Sequence, residues 1–188
     1  MYFCLINLES MIRSFLKKRL SDNQLANIFV NGLLDVIDNG FKEVASMINE
    51  DPAFEYSPDI APSEVDEFTM IIIVGNLVQL ETHFDYNQAL SVESLIIKKL
   101  SVIFGLTESQ FGELISDYKS FISRVNYPSK NILYGMSKAI FHKYALNDFQ
   151  EEYFRNMQAP NPLFLKRMDE IVTNFIWNWE AVEKKYKI

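Results

Sequence analysis

A chain of 188 residues, 48% apolar and 23% charged, is too apolar to be disordered and long enough for one substantial core. Its net charge of −7 excludes general binding to nucleic acid, whose phosphate backbone requires a dense basic footprint. The single cysteine, Cys4, excludes an internal disulfide and a cysteine metal cluster, and it fits a reducing compartment.

The chain starts with the apolar run Met1-Tyr2-Phe3-Cys4-Leu5-Ile6, and the basic group Arg13, Lys17, Lys18 and Arg19 follows. A secretory signal has the opposite order, so a cytoplasmic protein is expected. A helix is predicted over 5–19, with residues 1–10 a dispensable extension. Its basic group could touch a membrane surface, but those cations are too few for firm binding, and a solvated face is expected.

Ser21 with Gln24 forms a capping box ahead of an apolar stripe through Leu25, Ile28, Phe29, Leu33, Val36 and Ile37, which predicts a helix over 22–38. Asn39-Gly40 predicts a stop, with a separate helix over 41–50. Residues 50–62 hold Pro52, Pro58 and Pro62 among Glu50, Asp51, Glu55 and Asp59. They read as a long acidic loop pinned through Phe54 and Tyr56. Ser63, ahead of Glu64, Asp66 and Glu67, predicts the cap of a helix over 63–82.

The stretch 68–80 carries no charge but is far short of the roughly twenty residues of a membrane span, so it is expected to be a buried central helix. Glu81-Thr82-His83-Phe84-Asp85 offers metal-ligand types in a turn, although a helix C-terminus explains the residues as well. A second apolar segment, 92–104, lies within a helix predicted over 88–104, which Gly105 ends. Thr107 with Gln110 opens another capping box, and Phe111, Leu114, Ile115, Tyr118, Phe121, Ile122 and Val125 stripe a helix over 108–125. Residues 20–29 resemble 106–115 by residue type, as two helices with one cap and one apolar spacing would.

Helices are predicted over 129–145 and 148–157. After Asn161-Pro162 the stripe Phe164, Met168, Ile171, Val172, Phe175, Trp179, Val182 and Tyr186 predicts one helix over 162–185. On a helix, Trp177 and Trp179 cannot face the same way, so Trp177 should cover a neighbouring helix or, in a homodimer, a second subunit. The fold expected is all-α: one compact domain of about eight or nine helices, with apolar central helices near 68–80 and 92–104.

The usual signatures of chemistry are absent. No two of the six glycines lie close enough for a dinucleotide fingerprint or a phosphate-binding loop. Two histidines, His83 and His142, leave no di-iron or His-Glu-x-x-His pattern. No Gly-x-Ser-x-Gly elbow occurs. Adjacent carboxylates such as Asp66–Glu67 point apart on a helix. No catalytic residue, metal site or cofactor is therefore expected, and the chain reads as a binding module in preference to an enzyme.

Charge is segregated along the chain. Residues 43–97 contain eleven carboxylates and no Lys or Arg, while the remaining 133 residues carry a net +4. This asymmetry predicts a protein partner at an acidic surface formed by Phe54, Glu55, Tyr56, Asp59 and Glu64, with the two aromatics as anchors. A second candidate, for an anionic ligand or single-stranded nucleic acid, interleaves basic and aromatic groups at Arg124, Tyr127, Lys130, Tyr134 and Lys138. The competing expectation is a helical enzyme or carrier whose pocket lies between the central helices and takes a small apolar or anionic molecule.

Overall fold

The computed structural model describes residues 17–188, so the expectations for residues 1–10, and for a helix over 5–19 as far as residue 16, lie outside the described residues. From Lys17 to Leu20 the chain is not helical, and Arg19 forms an isolated parallel bridge with Lys187. The described residues form an all-α bundle without β-strands.

Helix α1 (Asp22–Asn49) starts at the expected capping box: Gln24 N–H donates to Ser21 Oγ (3.3 Å), and Ser21 N–H donates to Gln24 Oε1 (3.0 Å). It does not stop at Asn39-Gly40. The apolar stripe continues through Phe41, Val44, Ala45 and Ile48, all buried, and that burial outweighs the local stop signal. Gly40 is there for proximity: a Cβ on it would lie 2.8 Å from Phe175 Cζ. The Asn39 amide donates back to Asp35 O at 2.8 Å.

Helix α2 (Asp66–Val78) is buried from Phe68 through Leu77. Ser63 is not its cap; the helix begins after Val65, which provides no side-chain cap. The hydroxyl of Tyr144, 76 residues downstream, takes that role. It accepts from Phe68 N–H (3.3 Å) and donates to Glu64 O (2.6 Å). A 3-10 turn, Leu80–Thr82, leads to α3 (Tyr86–Ile103), which Asp85 caps through Gln88 N–H at 3.0 Å. Helix α3 buries one face, through Ala89, Val92, Ile96 and Leu100, and leaves Val102 and Ile103 exposed at its end.

Helix α4 (Glu108–Asn126) has the expected Thr107–Gln110 capping box, and α5 (Ile132–Lys143) is capped by Asn131. A 3-10 turn at Leu146–Phe149 precedes the short α6 (Glu152–Met157), and α7 (Pro162–Val172) starts with Asn161 as cap and Pro162 in its first turn. Helix α1 packs along α3, α2 lies against α4 and α5, and α5 packs on α7. Their buried side chains, from Leu20 to Val182, join in one hydrophobic cluster. Phe68 sits at its centre, with ring centroids 5.3 Å from Phe41 and 4.9 Å from Phe175. Full burial of such a ring contributes roughly 2–3 kcal/mol.

The helix expected over 162–185 is broken. Helix α7 runs into a 3-10 turn at Thr173–Phe175, Ile176 is extended, and α8 (Trp179–Lys185) begins anew under an Asn178 cap. The cause is Asn76, a polar side chain on the otherwise apolar α2. Only 2% exposed, it donates to Phe175 O (2.9 Å) and to Ile72 O (2.9 Å), and accepts from Trp177 N–H (2.7 Å). These bonds satisfy buried backbone groups freed where the helix opens. Because the chain is extended there, Trp177 and Trp179 both reach Phe29, at 5.8 and 5.7 Å. Trp177 thus covers a neighbouring helix, where a Cβ on Gly32 would overlap its ring.

Candidate functional site

The acidic loop 50–62 is a strap tied down at five residues. Asp51, 5% exposed, accepts two bonds from Arg167 of α7, at 2.6 and 2.7 Å, and one from Ala53 N–H at 2.9 Å. Asn49 and Ile60 exchange two bonds, 2.9 and 2.8 Å, which close the strap onto the end of α1. Phe54 is half-buried against Phe164, with centroids 5.1 Å apart, and Glu55 N–H donates to Phe149 O at 2.8 Å. Tyr56 stacks edge-on to Phe149 and donates to Asp148 O at 2.9 Å.

The expected partner-binding residues are therefore brought to one side of the molecule, but several of their functional groups are occupied. Glu55 faces Arg155 at 3.6 Å, and Glu64 accepts from Ala61 N–H at 2.7 Å. The Tyr56 ring remains 54% exposed, and Asp59 is exposed at a left-handed backbone position (φ 57°). Two further carboxylates of the cation-free stretch are also met: Glu67 by Lys143 at 3.0 Å, and Glu93 by Lys119 at 2.5 Å. Charge that is separated along the chain is thus partly neutralised in space.

Two of the carboxylates left without an ion pair among the described residues, Glu43 and Glu50, flank a groove between the second half of α1 and α7. Two adjoining hollows of about 400 and 440 Å³ share Glu43 and Met47. The floor of the first is Val36, Val44 and Met47 from α1 with Ile171 and Phe175 from the other wall. Glu43 and Glu50, both exposed, stand on the α1 side, and the Asp51–Arg167 pair closes the end where the strap begins. The positions 36, 40, 43, 44 and 47 follow helical spacing. The stop expected at Asn39-Gly40 divided that stripe and hid it.

Arg124, Tyr127, Lys130, Tyr134 and Lys138 fall on the end of α4, the following turn and the start of α5. Tyr127 and Lys130 are exposed. Lys138 lies over the Tyr134 ring at 4.6 Å, and Arg124 lies over Phe121 at 5.4 Å. These two cations thus each face a ring of their own helix, and none of the five residues lines the grooves described here.

A cluster of titratable groups lies at the start of α2. The Tyr118 hydroxyl donates to Glu67 at 2.5 Å, and Lys143 lies 4.3 Å from the Tyr118 ring centroid. Burial, then the bond to Glu67, raises the Tyr118 pKa; burial raises that of Tyr144. Both phenols stay protonated at neutral pH and act as donors that tie α4 and α5 to α2. Burial, assisted by Lys138, lowers the pKa of His142.

Where α2 meets α5 the packing is close: a Cβ on Gly75 would overlap the Met136 sulfur. Among the described residues no group of three or more His, Cys, Asp or Glu is placed to hold a metal ion, including Glu81–Asp85. No described helix is long and apolar enough to cross a membrane. The chain matches no protein-family model, no curated protein and no solved structure.

Proposed function

We propose that this is a protein-interaction module of the cytoplasm whose binding face is its acidic side, centred on the α1/α7 groove and continued by the strap. The observation that carries the reading is the groove itself: an uncovered apolar floor more than one helical turn long, edged by Glu43 and Glu50. Such a surface gives area for apolar anchors and a field that orients a basic partner. Tyr56 and Asp59 extend it across the strap, whereas Phe54, Glu55 and Glu64 hold the strap in place. The partner expected is a protein segment with apolar side chains on one face and Lys or Arg beside them, a pattern that suits helix-in-groove recognition.

The test is affinity purification of the full chain from its native cell extract. The double reversal Glu43→Lys with Glu50→Lys should abolish recovery of the partner, and Asp59→Lys should weaken it. Equal recovery by the wild type and the double reversal would remove the groove from the account.

A further inference from the structure

The corner between α3 and α4 carries a surface complementary to the acidic groove. Helix α3 ends at Gly105, where the backbone turns left-handed (φ 68°) and Leu106 N–H donates to Ser101 O at 2.9 Å. A Cβ on Gly105 would meet no atom within 4 Å, so this corner stands clear of the rest of the fold. Val102 is 76% exposed and Ile103 55%, with Phe104 and Leu106 open beside them. Nowhere else among the described residues are four large apolar side chains exposed within five positions. An apolar cluster left open in this way marks a contact surface.

Two cations flank it. Lys98 and Lys99 stand one helical turn before Val102 and Ile103, on the same faces of α3. Lys98 meets Glu108 only at 3.9 Å, with both side chains mostly exposed, and such a pair is worth little in water. Lys99 takes part in no ion pair among the described residues. The hollow beside them, about 430 Å³ between α1 and α3, is lined by Asn23, Asn27 and Asn31 and by no carboxylate. Apolar side chains at a helix end with lysines beside them are the pattern that suits a groove edged by Glu43 and Glu50.

We propose that the partner of the acidic groove is a second copy of this chain, which inserts its α3 corner head to tail. Val102 and Ile103 of one copy seat against Val36, Met47 and Ile171 of the next, and Lys98 and Lys99 face Glu43 and Glu50. This rests on reading the groove as a protein-binding face. The corner cannot turn into its own groove. Positions 23, 27, 30 and 31 of α1, beside the corner, and 36, 40, 43, 44 and 47, in the groove, point roughly 140° apart at 3.6 residues per turn. A symmetrical pairing of two corners would set lysines against lysines, whereas head-to-tail contact pairs opposite charges. Each copy then keeps one corner or one groove free, so association continues past two chains. The contact is small and therefore weak and reversible.

The experiment is sedimentation velocity of the purified full chain over a concentration series up to the millimolar range. The sedimentation coefficient of the wild type should rise with concentration. Glu43→Lys with Glu50→Lys, and separately Lys98→Glu with Lys99→Glu, should sediment as single chains throughout. Mixed one to one, the two variants should associate again, because every contact in the alternating series pairs opposite charges. That recovery also shows that neither reversal has damaged the fold. Association that survives either reversal overturns the proposal, as does a mixture that stays as single chains. A wild type that never associates, while the groove reversal still abolishes recovery of another protein from extract, overturns the second copy alone and leaves the groove reading standing.

Discussion

The two ends of α1, about 42 Å apart at 1.5 Å per residue, carry opposite chemistry. At the Asn49 end the groove presents Glu43 and Glu50 beside an apolar floor, and the strap carries the exposed Asp59; at the Asp22 end the paired ends of the described chain present lysines and an arginine. The acidic end has much of its charge consumed within the fold, because Asp51, Glu55 and Glu67 hold the strap and α2 to cations from later helices. The basic end has no such partners among the described residues. Segregation of charge along a chain is therefore a poor guide to segregation in space: contacts between distant segments neutralise one block and concentrate another.

Asn76 sits where the two ends part. Its bonds to Phe175 and Trp177 end the helix that walls the acidic groove and start the one that carries Lys184 and Lys185 to the basic end. Replacing Asn76 by Leu leaves a buried carbonyl and N–H without partners, and should cost about 3–4 kcal/mol in urea denaturation. Both ends should be affected, with weaker partner recovery and faster tryptic cleavage at Lys184 and Lys185. A neutral Asn76→Leu would mean that the break is fixed elsewhere.

The next effect should be confined to the acidic end. Asp51→Asn removes the charge that binds Arg167 and should cost about 2 kcal/mol, the half-exposed arginine recovering some hydration. Limited proteolysis should then cut within 52–62 far faster, while cleavage at Lys184 and Lys185 stays at its wild-type rate. If the two ends changed together here, the division between them would be blurred.

Smaller again is Gly32→Ala. The new methyl overlaps the Trp177 ring, and helix propensity returns about 1 kcal/mol, so a net loss of about 1 kcal/mol is expected. Tryptophan emission should shift with it. The smallest effect concerns pH. The folded pKa of His142 is lowered by burial, so the folded state favours neutral imidazole. Its contribution is fully present above the unfolded pKa of about 6.5 and is lost as pH falls below it, because the unfolded chain binds the proton first. Melting temperatures at pH 7 and about pH 5.5 should differ less for His142→Gln than for the wild type.

Much of this architecture is legible in the residues. Hydroxyl–Gln pairs mark the starts of α1 and α4, and the stripes over 25–37 and 111–125 mark their buried faces. What is not legible depends on partners far along the chain. Gly40 reads locally as a stop, yet it is the point where α1 approaches Phe175. Ser63 reads as a cap, but Tyr144 supplies the hydroxyl. The apolar period over 164–186 reads as one helix until Asn76 opens it; a lone Asn in a run of Ile, Val and Leu was the visible sign. The groove stripe was hidden by the false stop, and the pairing of the two chain ends by the 164 residues between Arg19 and Lys184.

The central claim, that the α1/α7 groove is a protein-binding face, is most directly tested by a photo-crosslinking residue at Met47, with the same residue at exposed Ser120 on α4 as control. A discrete adduct from position 47 alone, lost when Glu43 and Glu50 are changed to Lys, is the predicted result. The same adducts from both positions, or an adduct at 47 that survives the charge reversal, would contradict it.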